Sequence, residues 1–500
     1  MTTDLATVLA GFGDVFTLYN IGFVVLGVII GIVVGAIPGL NGPMAIAIAV
    51  PISFYLTPLA GIAFLIGINK GSTVGGAIPA VLLNAPGTPE AAVTAMDGHP
   101  LAKQGKPLKA MKMALYSSVT GDTFSDIVLI TVAAPLAYVA LKLGPTEMVA
   151  VVFFSLTIIT GVVGDSMVKG MIAAFVGILL ATVGDEAESG TTRLTFGILE
   201  LEDGIPIIAV GMGVLVMGEI LVGMERARGT DERALPLDTT GDPANRRVSL
   251  AEYASCRRTL ARSALIGTAI GAIPGIGSSV ASLIGYTAAK RASKKPEEFG
   301  KGRLEGIAAA EAANSAVVGA NLIPLLTLGI PGNVAAAFLI GAFIVHDVQP
   351  GPLVFEEQGR LIYGIFGAMI VANLSNLVIG NIGLRLFALT ARVPKNIVYP
   401  VVVLLSISGA YLGGDGMFTV LLMLIFSVLG YLMRKLAFPV LAFIIAFVLG
   451  RVFELPLRQT LILSDGDPAF LLDHPIAIAF ILLGLIVIWR FGFAKKKKPA

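Results

Sequence analysis

The sequence predicts an all-α, polytopic integral membrane protein with about 10–12 transmembrane segments, in two inverted repeats with re-entrant or broken helices. Three observations support this: an apolar composition, many helix-breaking residues, and a motif that recurs in each half. Of the 500 residues, 56% are hydrophobic and 14% charged, with a mean hydropathy of +0.88. Because soluble domains carry about a quarter charged residues, a soluble globular enzyme is disfavoured. The 59 glycines and 27 prolines predict interrupted rather than simple helices.

The remaining composition excludes several functional classes. A net charge of +2 gives no basic surface for nucleic acid. Cys256 is the single cysteine, and the three histidines are far apart in the sequence, so we expect no disulfide framework, no metal site and no cofactor. The chain has no Walker A, H-E-x-x-H or G-x-S-x-G motif, which argues against an ATP-driven pump and a hydrolase. We therefore do not expect an enzyme.

Apolar runs occur along the whole chain, and a membrane-spanning helix needs about 20 such residues. Residues 1–20 have no basic segment, so we expect no cleavable signal peptide, and 21–37 would be an uncleaved anchor. The apolar runs are 21–37, 43–68, 74–95, 113–141, 147–163, 167–183, 205–224, 263–289, 306–328, 333–345, 361–391, 397–412, 417–433, 436–453 and 475–493.

Basic residues predict the orientation of the loops, because Lys and Arg concentrate on the cytoplasmic side. Two acidic segments, 184–204 and 464–474, are expected outside. The C-terminal Lys495–Lys498 run is expected inside, so the C-terminus would be cytoplasmic. The other segments expected inside are 97–112, 225–262, 290–303 and 434–435.

One apolar run, 263–289, has strongly basic segments on both sides, which a single crossing does not allow. It is predicted to enter the membrane and return as a hairpin. Its tip would be 271–277, which contains Pro274 and Gly275. Irregular backbone at membrane depth occurs where it is buried in protein or lines a cavity, so this tip is a candidate site.

The motif at this tip also occurs near the N-terminus. Gly35–Leu40, with Pro38 and Gly39, matches Gly271–Ile276. A second motif recurs in the same order, in which Asn69 aligns with Asn314 and Pro86-Gly87 with Pro331-Gly332. Two recurring motifs at nearly constant spacing indicate an internal repeat.

The charges after the second motif are opposite in the two halves. Segment 97–112 is basic, whereas 346–358 has no Lys or Arg, so the repeats are expected to be inverted in the membrane. The predicted organisation is a first repeat (1–224), a cytoplasmic linker (225–262), and a second repeat with an extra C-terminal transmembrane helix (263–500). Gly27 and Gly31 are better explained as a helix-packing face, which needs no Pro-Gly break.

In these motifs the sequence resembles the large membrane subunit (TctA-like) of the tripartite tricarboxylate transporter family. The resemblance rests on Gly75–Pro89, on Met96–Gly105, on Glu311–Asn314 and on Leu322–Gly332, and it covers nearly the whole chain. It implies a permease of the bacterial inner membrane that imports carboxylates with an ion gradient. The implied partners are a small membrane subunit (TctB-like) and a periplasmic solute-binding protein (TctC-like).

Substrate-binding residues are expected at the four breaks, because helix N-termini there offer backbone N–H groups to a carboxylate. The alternative for each Asn, Ser or Thr is ordinary helix capping. The structural breaks are Pro38, Gly39, Pro86, Pro274, Gly275 and Pro331. The candidate substrate-binding residues are Asn41, Gly42, Asn84, Gly87, Thr88, Ser278, Ser279, Gly332, Asn333 and Lys70.

Charges inside membrane segments are functional candidates, because they are costly to bury. Lys70 would pair with a substrate carboxylate or neutralise an acid such as Asp122, or snorkel to the surface. Asp122 and Asp126 would share one helix face and take up a proton or Na⁺, or form a structural pair with Lys70, or make a polar contact to the small subunit. Asn69 and Asn314 are further candidates for coupling to a cation. Glu219, Glu305 and Glu311 are expected to be solvated near segment ends.

The function that the sequence favours is a secondary active transporter that imports tricarboxylates, dicarboxylates or related acids by ion-coupled alternating access. The alternative is a carrier or channel of the same inverted fold that works without a binding protein.

Overall fold

The computed structural model describes residues 4–86, 88–162, 166–186, 190–226 and 242–492. Within these ranges the chain is almost entirely helical, and its strands are the short antiparallel pair β1 (Gly184–Asp185) and β2 (Thr192–Arg193). The all-α class expected from the sequence is confirmed. Gly87 and the Lys495–Lys498 run lie outside the described residues, and so does much of the predicted 225–262 linker.

The first half contains a broken helical core followed by longer connecting helices. Its helices are α1 (Leu5–Asp14), α2 (Leu18–Gly35), α3 (Gly42–Ser53), α4 (Pro58–Leu83), α5 (Ala91–Lys103), α6 (Pro107–Ala140), α7 (Pro145–Val162), α8 (Met167–Ala181), α9 (Ile207–Gly211) and α10 (Gly218–Arg226). A π-helical segment, Met212–Met217, joins the last two.

The second half begins after the linker and repeats the order of the core. Its helices are α11 (Leu250–Ser255), α12 (Arg257–Gly271), α13 (Ser278–Ala292), α14 (Leu304–Ala320), α15 (Leu322–Leu328), α16 (Val334–Val345), α17 (Val354–Glu357), α18 (Gly359–Thr390), α19 (Lys395–Leu412), α20 (Met417–Lys435), α21 (Val440–Ser464) and α22 (Pro475–Gly492).

In the described part of the chain, eight helical segments are long and apolar enough to cross a membrane. Other apolar helices are shorter. For example, α3 and α16 have 12 residues each, or about 18 Å at 1.5 Å per residue. A bilayer core is about 30 Å thick, so these two are half-helices. The chain is a multi-pass membrane protein with broken helices, and the total of 10–12 segments stays a prediction.

The helix bounds repeat between the halves. The order α2, break, α3, α4, break, α5 corresponds to α12, break, α13, α14–α15, break, α16. The predicted hairpin at 263–289 consists of α12 and α13, which pack against each other and are separated at Ala272–Gly277. The predicted break at this tip is therefore confirmed. The inverted orientation of the two halves stays a prediction.

Small residues allow the two core helices of each half to approach closely. A Cβ added to Gly27 or Gly31 would lie 2.2 Å from the carbonyl oxygen of Phe64 or Ile68 on α4. In the second half, a Cβ on Gly267 would lie 2.2 Å from the carbonyl oxygen of Ala313 on α14. The packing interpretation of Gly27 and Gly31 is confirmed, and the contact recurs between the repeats.

The two repeats exchange their long helices. Helix α6, from the first repeat, packs against α12 and α14 of the second. Helix α18, from the second repeat, packs against α2 and α4 of the first. Any side chain between α4, α6 and α18 therefore lies between the two repeats.

A buried carboxylate makes a further connection between the halves. Asp97 on α5 has no exposed surface, and its Oδ1 accepts the backbone N–H groups of Gly300, Gly302 and Arg303 at 2.8–2.9 Å. Its Oδ2 accepts the hydroxyl of Tyr286 on α13 at 2.9 Å. Helix α5 is thereby joined to the loop between α13 and α14.

Candidate functional site

Each break shares one backbone conformation with its counterpart in the other half. In the first break of each half, Gly39 and Gly275 have φ of 93° and 88°. In the second break, Asn84 and Gly329 end their helices in the left-handed conformation, with φ of 54° and 71°. The repeat seen in the sequence is thus a repeat of the local fold.

In the second half, the two breaks contact each other directly. The backbone N–H of Gly275 donates to the carbonyl oxygen of Gly332 over 2.9 Å. A Cβ at Gly332 would lie 2.8 Å from the carbonyl oxygen of Asn321. The predicted breaks at Pro274 and Pro331 therefore meet, and Gly332 is required there for its small size.

In the first half, both breaks lie against α4. A Cβ on Gly42 would lie 2.3 Å from the Ser72 hydroxyl and 3.3 Å from Oδ1 of Asn69. The side chain of Thr88 is buried beside Gly76 of the same helix. The start of α3 thus approaches polar groups in the middle of α4, in a region lined by small residues.

The asparagines at two breaks are helix caps. Oδ1 of Asn41 accepts the N–H of Met44 at 3.0 Å, and Oδ1 of Asn333 accepts the N–H of Ala336 at 2.9 Å. The side-chain oxygens of these two asparagines therefore act as ordinary helix caps, as the alternative interpretation expected. Their amide N–H groups are not used by these caps. Ser278 is half-buried and Ser279 exposed in the first turn of α13, and Asn84 is exposed after α4.

The predicted charged residues form one buried cluster. Nζ of Lys70 lies 3.2 Å from Oδ1 of Asp122, 2.9 Å from Oδ2 of Asp126 and 3.0 Å from Oδ1 of Asn373. The three ionised side chains are at most 1% exposed. Nδ2 of Asn373 also donates to Asp126 at 2.7 Å. Lys70 therefore pairs with acidic side chains of the protein, as one of its two functional interpretations expected. It does not snorkel to the surface.

This cluster holds one cation and two carboxylates. Buried ions need paired charges and further hydrogen bonds to offset their desolvation. Lys70 and Asn373 provide these for Asp126. Among the described residues, no donor reaches Oδ2 of Asp122, which is buried. With both carboxylates ionised, the cluster has one negative charge in excess and a free acceptor atom, a suitable combination for a proton or a small cation.

A second buried acid was not expected. Glu311 on α14 is fully buried, and it accepts the hydroxyls of Thr94 at 2.5 Å and Ser118 at 2.8 Å. The prediction that Glu311 is solvated is wrong, because α5, α6, α12 and α13 all pack around α14. Glu311 lies in a run of alanines with Asn314 one turn later, and this pattern could have indicated a buried position.

The other two acids are near the surface, as expected. Glu219 pairs with Arg434 at 2.8 Å, and Glu305 pairs with Arg303 at 2.9 Å. The matched asparagines, Asn69 and Asn314, are both buried. Asn69 is adjacent to Lys70 in the sequence, and Asn314 lies one turn from Glu311. Sequence reasoning missed Asn373, because α18 contains three asparagines, Asn373, Asn376 and Asn381, and nothing in the sequence distinguishes Asn373 from the other two.

Comparisons with known proteins agree with this architecture. Residues 21–445 match the model of the tripartite tricarboxylate transporter TctA family. A protein of Agrobacterium vitis, described as an uncharacterized 52.8 kDa protein in the TAR-I ttuC' 3' region, is 32% identical over 478 residues, which is 96% of this chain and 94% of that protein. A second protein of that organism, from the TAR-II ttuC' 3' region, is 34% identical over 222 residues, which is 44% of this chain and 92% of the relative.

No solved structure matches the chain. The family match covers both repeats, all four breaks and the cluster of Lys70, Asp122 and Asp126. A transporter family, rather than an enzyme family, is consistent with the membrane architecture described above. The chain belongs to the tripartite tricarboxylate transporter TctA family.

Proposed function

We propose that this chain is the permease of an ion-coupled carboxylate importer that receives its substrate from a periplasmic binding protein. Family membership supports the transporter class and the existence of further subunits. The observation that carries ion coupling is the buried cluster of Lys70, Asp122 and Asp126, with its excess negative charge and the free acceptor atom on Asp122.

The carboxylate substrate binds at the breaks in this proposal. The N-termini of α3 and α16 offer backbone N–H groups and the positive ends of helix dipoles. No side chain fits at positions 42 and 332, which are glycines. A ligand there would be bound by main-chain N–H donors and by the side-chain amides of Asn41 and Asn333. Backbone donors suit an anion because they require no buried cation to bind it.

The coupling ion binds at the charged cluster. Asp122 and Asp126 on α6 face Lys70 on α4 and Asn373 on α18. A proton or Na⁺ at Asp122 would cancel the excess charge and lower the cost of burial. Because these helices come from both repeats, movement of one repeat against the other changes the cluster. Ion binding is thereby linked to alternating access.

The test is uptake of labelled carboxylates into proteoliposomes that contain the permease with its small subunit, with purified binding protein and with Na⁺ and pH gradients imposed separately. We expect uptake that requires the binding protein and one gradient. Asp122→Asn should abolish the gradient dependence. Asp14→Asn, which removes an exposed acid paired with Arg360, is the matched control and should leave it intact.

Two results would overturn this proposal. Uptake that needs neither gradient would indicate a channel or a facilitated carrier. Uptake that persists at full rate without the binding protein would indicate a carrier that works alone. If Asp122→Asn keeps full gradient dependence, the coupling ion binds outside the cluster. The proposal that the substrate is a carboxylate would not be affected.

A further inference from the structure

Glu311 is a buried carboxylate that the proposed ion site at Asp122 does not use. It lies in the middle of α14 and has no exposed surface. Its Oε1 accepts the hydroxyl of Thr94 on α5 at 2.5 Å, and its Oε2 accepts the hydroxyl of Ser118 on α6 at 2.8 Å. Both donors are neutral, so neither offsets the charge of an ionised carboxylate.

The helices around Glu311 bring no free cation to it in the part of the chain that the structure describes. Lys70 on α4 contacts Asp122 and Asp126. Helix α12 faces α14 through Gly267. An ionised Glu311 would therefore be a buried charge without a counterion, which is strongly unfavourable. The other ionisable side chains that face α14 are Glu90 before α5, Asp97 on α5 and Tyr286 on α13.

The charges of this region require two cations rather than one. When all are ionised, Asp122, Asp126 and Glu311 carry three negative charges, and Lys70 carries one positive charge. One ion at the cluster, as in the proposed function, leaves the charge of Glu311 uncompensated. A buried carboxylate without a counterion favours its protonated form, so a proton at Glu311 would restore neutrality.

Glu311 and the cluster lie along the same contact between α6 and α14. Ser315 is one turn after Glu311 and one turn before Gly319, and a Cβ on Gly319 would lie 2.3 Å from Oδ1 of Asp126. Ser315 therefore faces α6 at the level of Asp122. Its hydroxyl and Oδ2 of Asp122 are both buried, and neither has a hydrogen-bond partner among the described residues. Unused polar atoms thus lie between the two acidic sites.

The hydrogen bonds of Glu311 also connect two sites of the proposed function. Thr94 lies in the first turn of α5, directly after the second break of the first half. Ser118 lies one turn before Asp122 on α6. Glu311 is therefore placed between a proposed substrate-binding break and the proposed ion site.

The packing at Glu311 favours a proton over a metal ion. A Cβ added to Gly121 on α6 would lie 2.2 Å from the carbonyl oxygen of Ala312 on α14. The two backbones are therefore in contact beside Glu311, and both carboxylate oxygens already accept hydroxyl groups. A metal ion would need space and further oxygen ligands there, whereas a proton fits within the existing hydrogen bonds.

We propose that Glu311 is a second coupling-ion site that binds a proton, so that each carboxylate enters with two cations, one at Glu311 and one at the cluster. This inference rests on the proposed ion-coupled permease and adds a site to it. Thr94 and Ser118 belong to the first repeat and Glu311 to the second. Movement of one repeat against the other would change their contacts and allow the proton to leave on the inner side.

The first test is infrared spectroscopy of the purified full chain, which does not depend on transport. A protonated carboxyl group has a carbonyl stretch that an ionised carboxylate lacks. We expect this band in the wild type at neutral pH, and isotope-labelled glutamate should shift it. Glu311→Gln should remove the band. Glu305→Gln, on the same helix but at the surface beside Arg303, is the matched control and should keep it.

The second test measures the charge that is moved with each substrate. In proteoliposomes with the binding protein and small subunit, charge movement and uptake of labelled carboxylate are recorded together. Glu311→Gln is permanently neutral, so it should move one elementary charge less per substrate than the wild type. Glu305→Gln should move the same charge as the wild type.

Three outcomes would overturn the second site. A wild-type spectrum without a glutamate band would do so even if Glu311→Gln does not fold. A band that is lost in Glu311→Gln while the charge per substrate stays unchanged would show that Glu311 is neutral throughout the cycle. Loss of coupling in Asp122→Asn together with an unchanged charge in Glu311→Gln would refute the second site alone and leave the proposed function intact.

Discussion

Replacing Lys70 by methionine should destabilise the protein strongly. The change keeps an unbranched side chain one atom shorter than lysine, but it removes the ammonium that contacts Asp122 and Asp126 within 3.2 Å. Because all three side chains are at most 1% exposed, water does not solvate the two carboxylates after the ammonium is removed. Removing one partner of such a buried pair costs about 3–5 kcal/mol in free energy of unfolding.

Cys256 provides the assay. It is the single cysteine of the sequence, and it is 3% exposed, so a thiol-reactive fluorophore reports its exposure on unfolding. Denaturant titrations in detergent micelles at fixed temperature give the free energy difference. The matched control is Lys435→Met. That lysine pairs with Glu225, but the two side chains are 46% and 49% exposed, so the loss should be within about 1 kcal/mol.

A triple variant separates charge from packing. Lys70→Met with Asp122→Asn and Asp126→Asn has no uncompensated buried charge, and it should recover most of the lost stability. A loss in Lys70→Met no larger than in Lys435→Met would refute the buried cluster. A triple variant no more stable than Lys70→Met alone would show that the cost arises from packing rather than charge.

Three further predictions concern packing, the connection between the halves and pH. Gly31→Leu should separate α2 from α4 and abolish folding or transport, because even a Cβ at Gly31 would lie 2.2 Å from the Ile68 carbonyl oxygen. The control is Gly22→Leu, since Gly22 faces open space. The two variants are compared by size-exclusion profile and by uptake. Asp97→Ala should leave three backbone N–H groups without their acceptor, at a cost of about 2–5 kcal/mol, and limited proteolysis should then cleave near Gly300–Arg303. Burial raises the pKa of Glu252 but its hydrogen bond with Lys109 and the other interactions outweigh this, so the net pKa is lowered. This contact therefore stabilises α11 above the usual pKa of Glu and is lost as the pH falls through the lowered value; hydrogen exchange at 250–255 should increase there, and Glu252→Gln should remove that pH dependence.

The sequence was sufficient to locate the helix breaks but not the contacts between distant helices. Pro38 and Pro274 interrupt helices through local backbone chemistry, so their motifs predicted the breaks correctly. The pairing of Lys70 with Asp122 was one of several alternatives, because spacing along the chain does not fix which helices meet. Glu311 was misassigned for the same reason, since its burial depends on helices α5 and α6 from the other repeat.

The exchange of long helices means that the units which pack together are not the units repeated in the sequence. Helix α18 packs against α2 and α4, and α6 packs against α12 and α14, but α6 also packs against α4 and α18. Lys70 lies on α4, Asn373 on α18, and Asp122 and Asp126 on α6, so the charged cluster connects helices of both repeats where they meet. The helices of one repeat alone would leave part of the cluster without its partners.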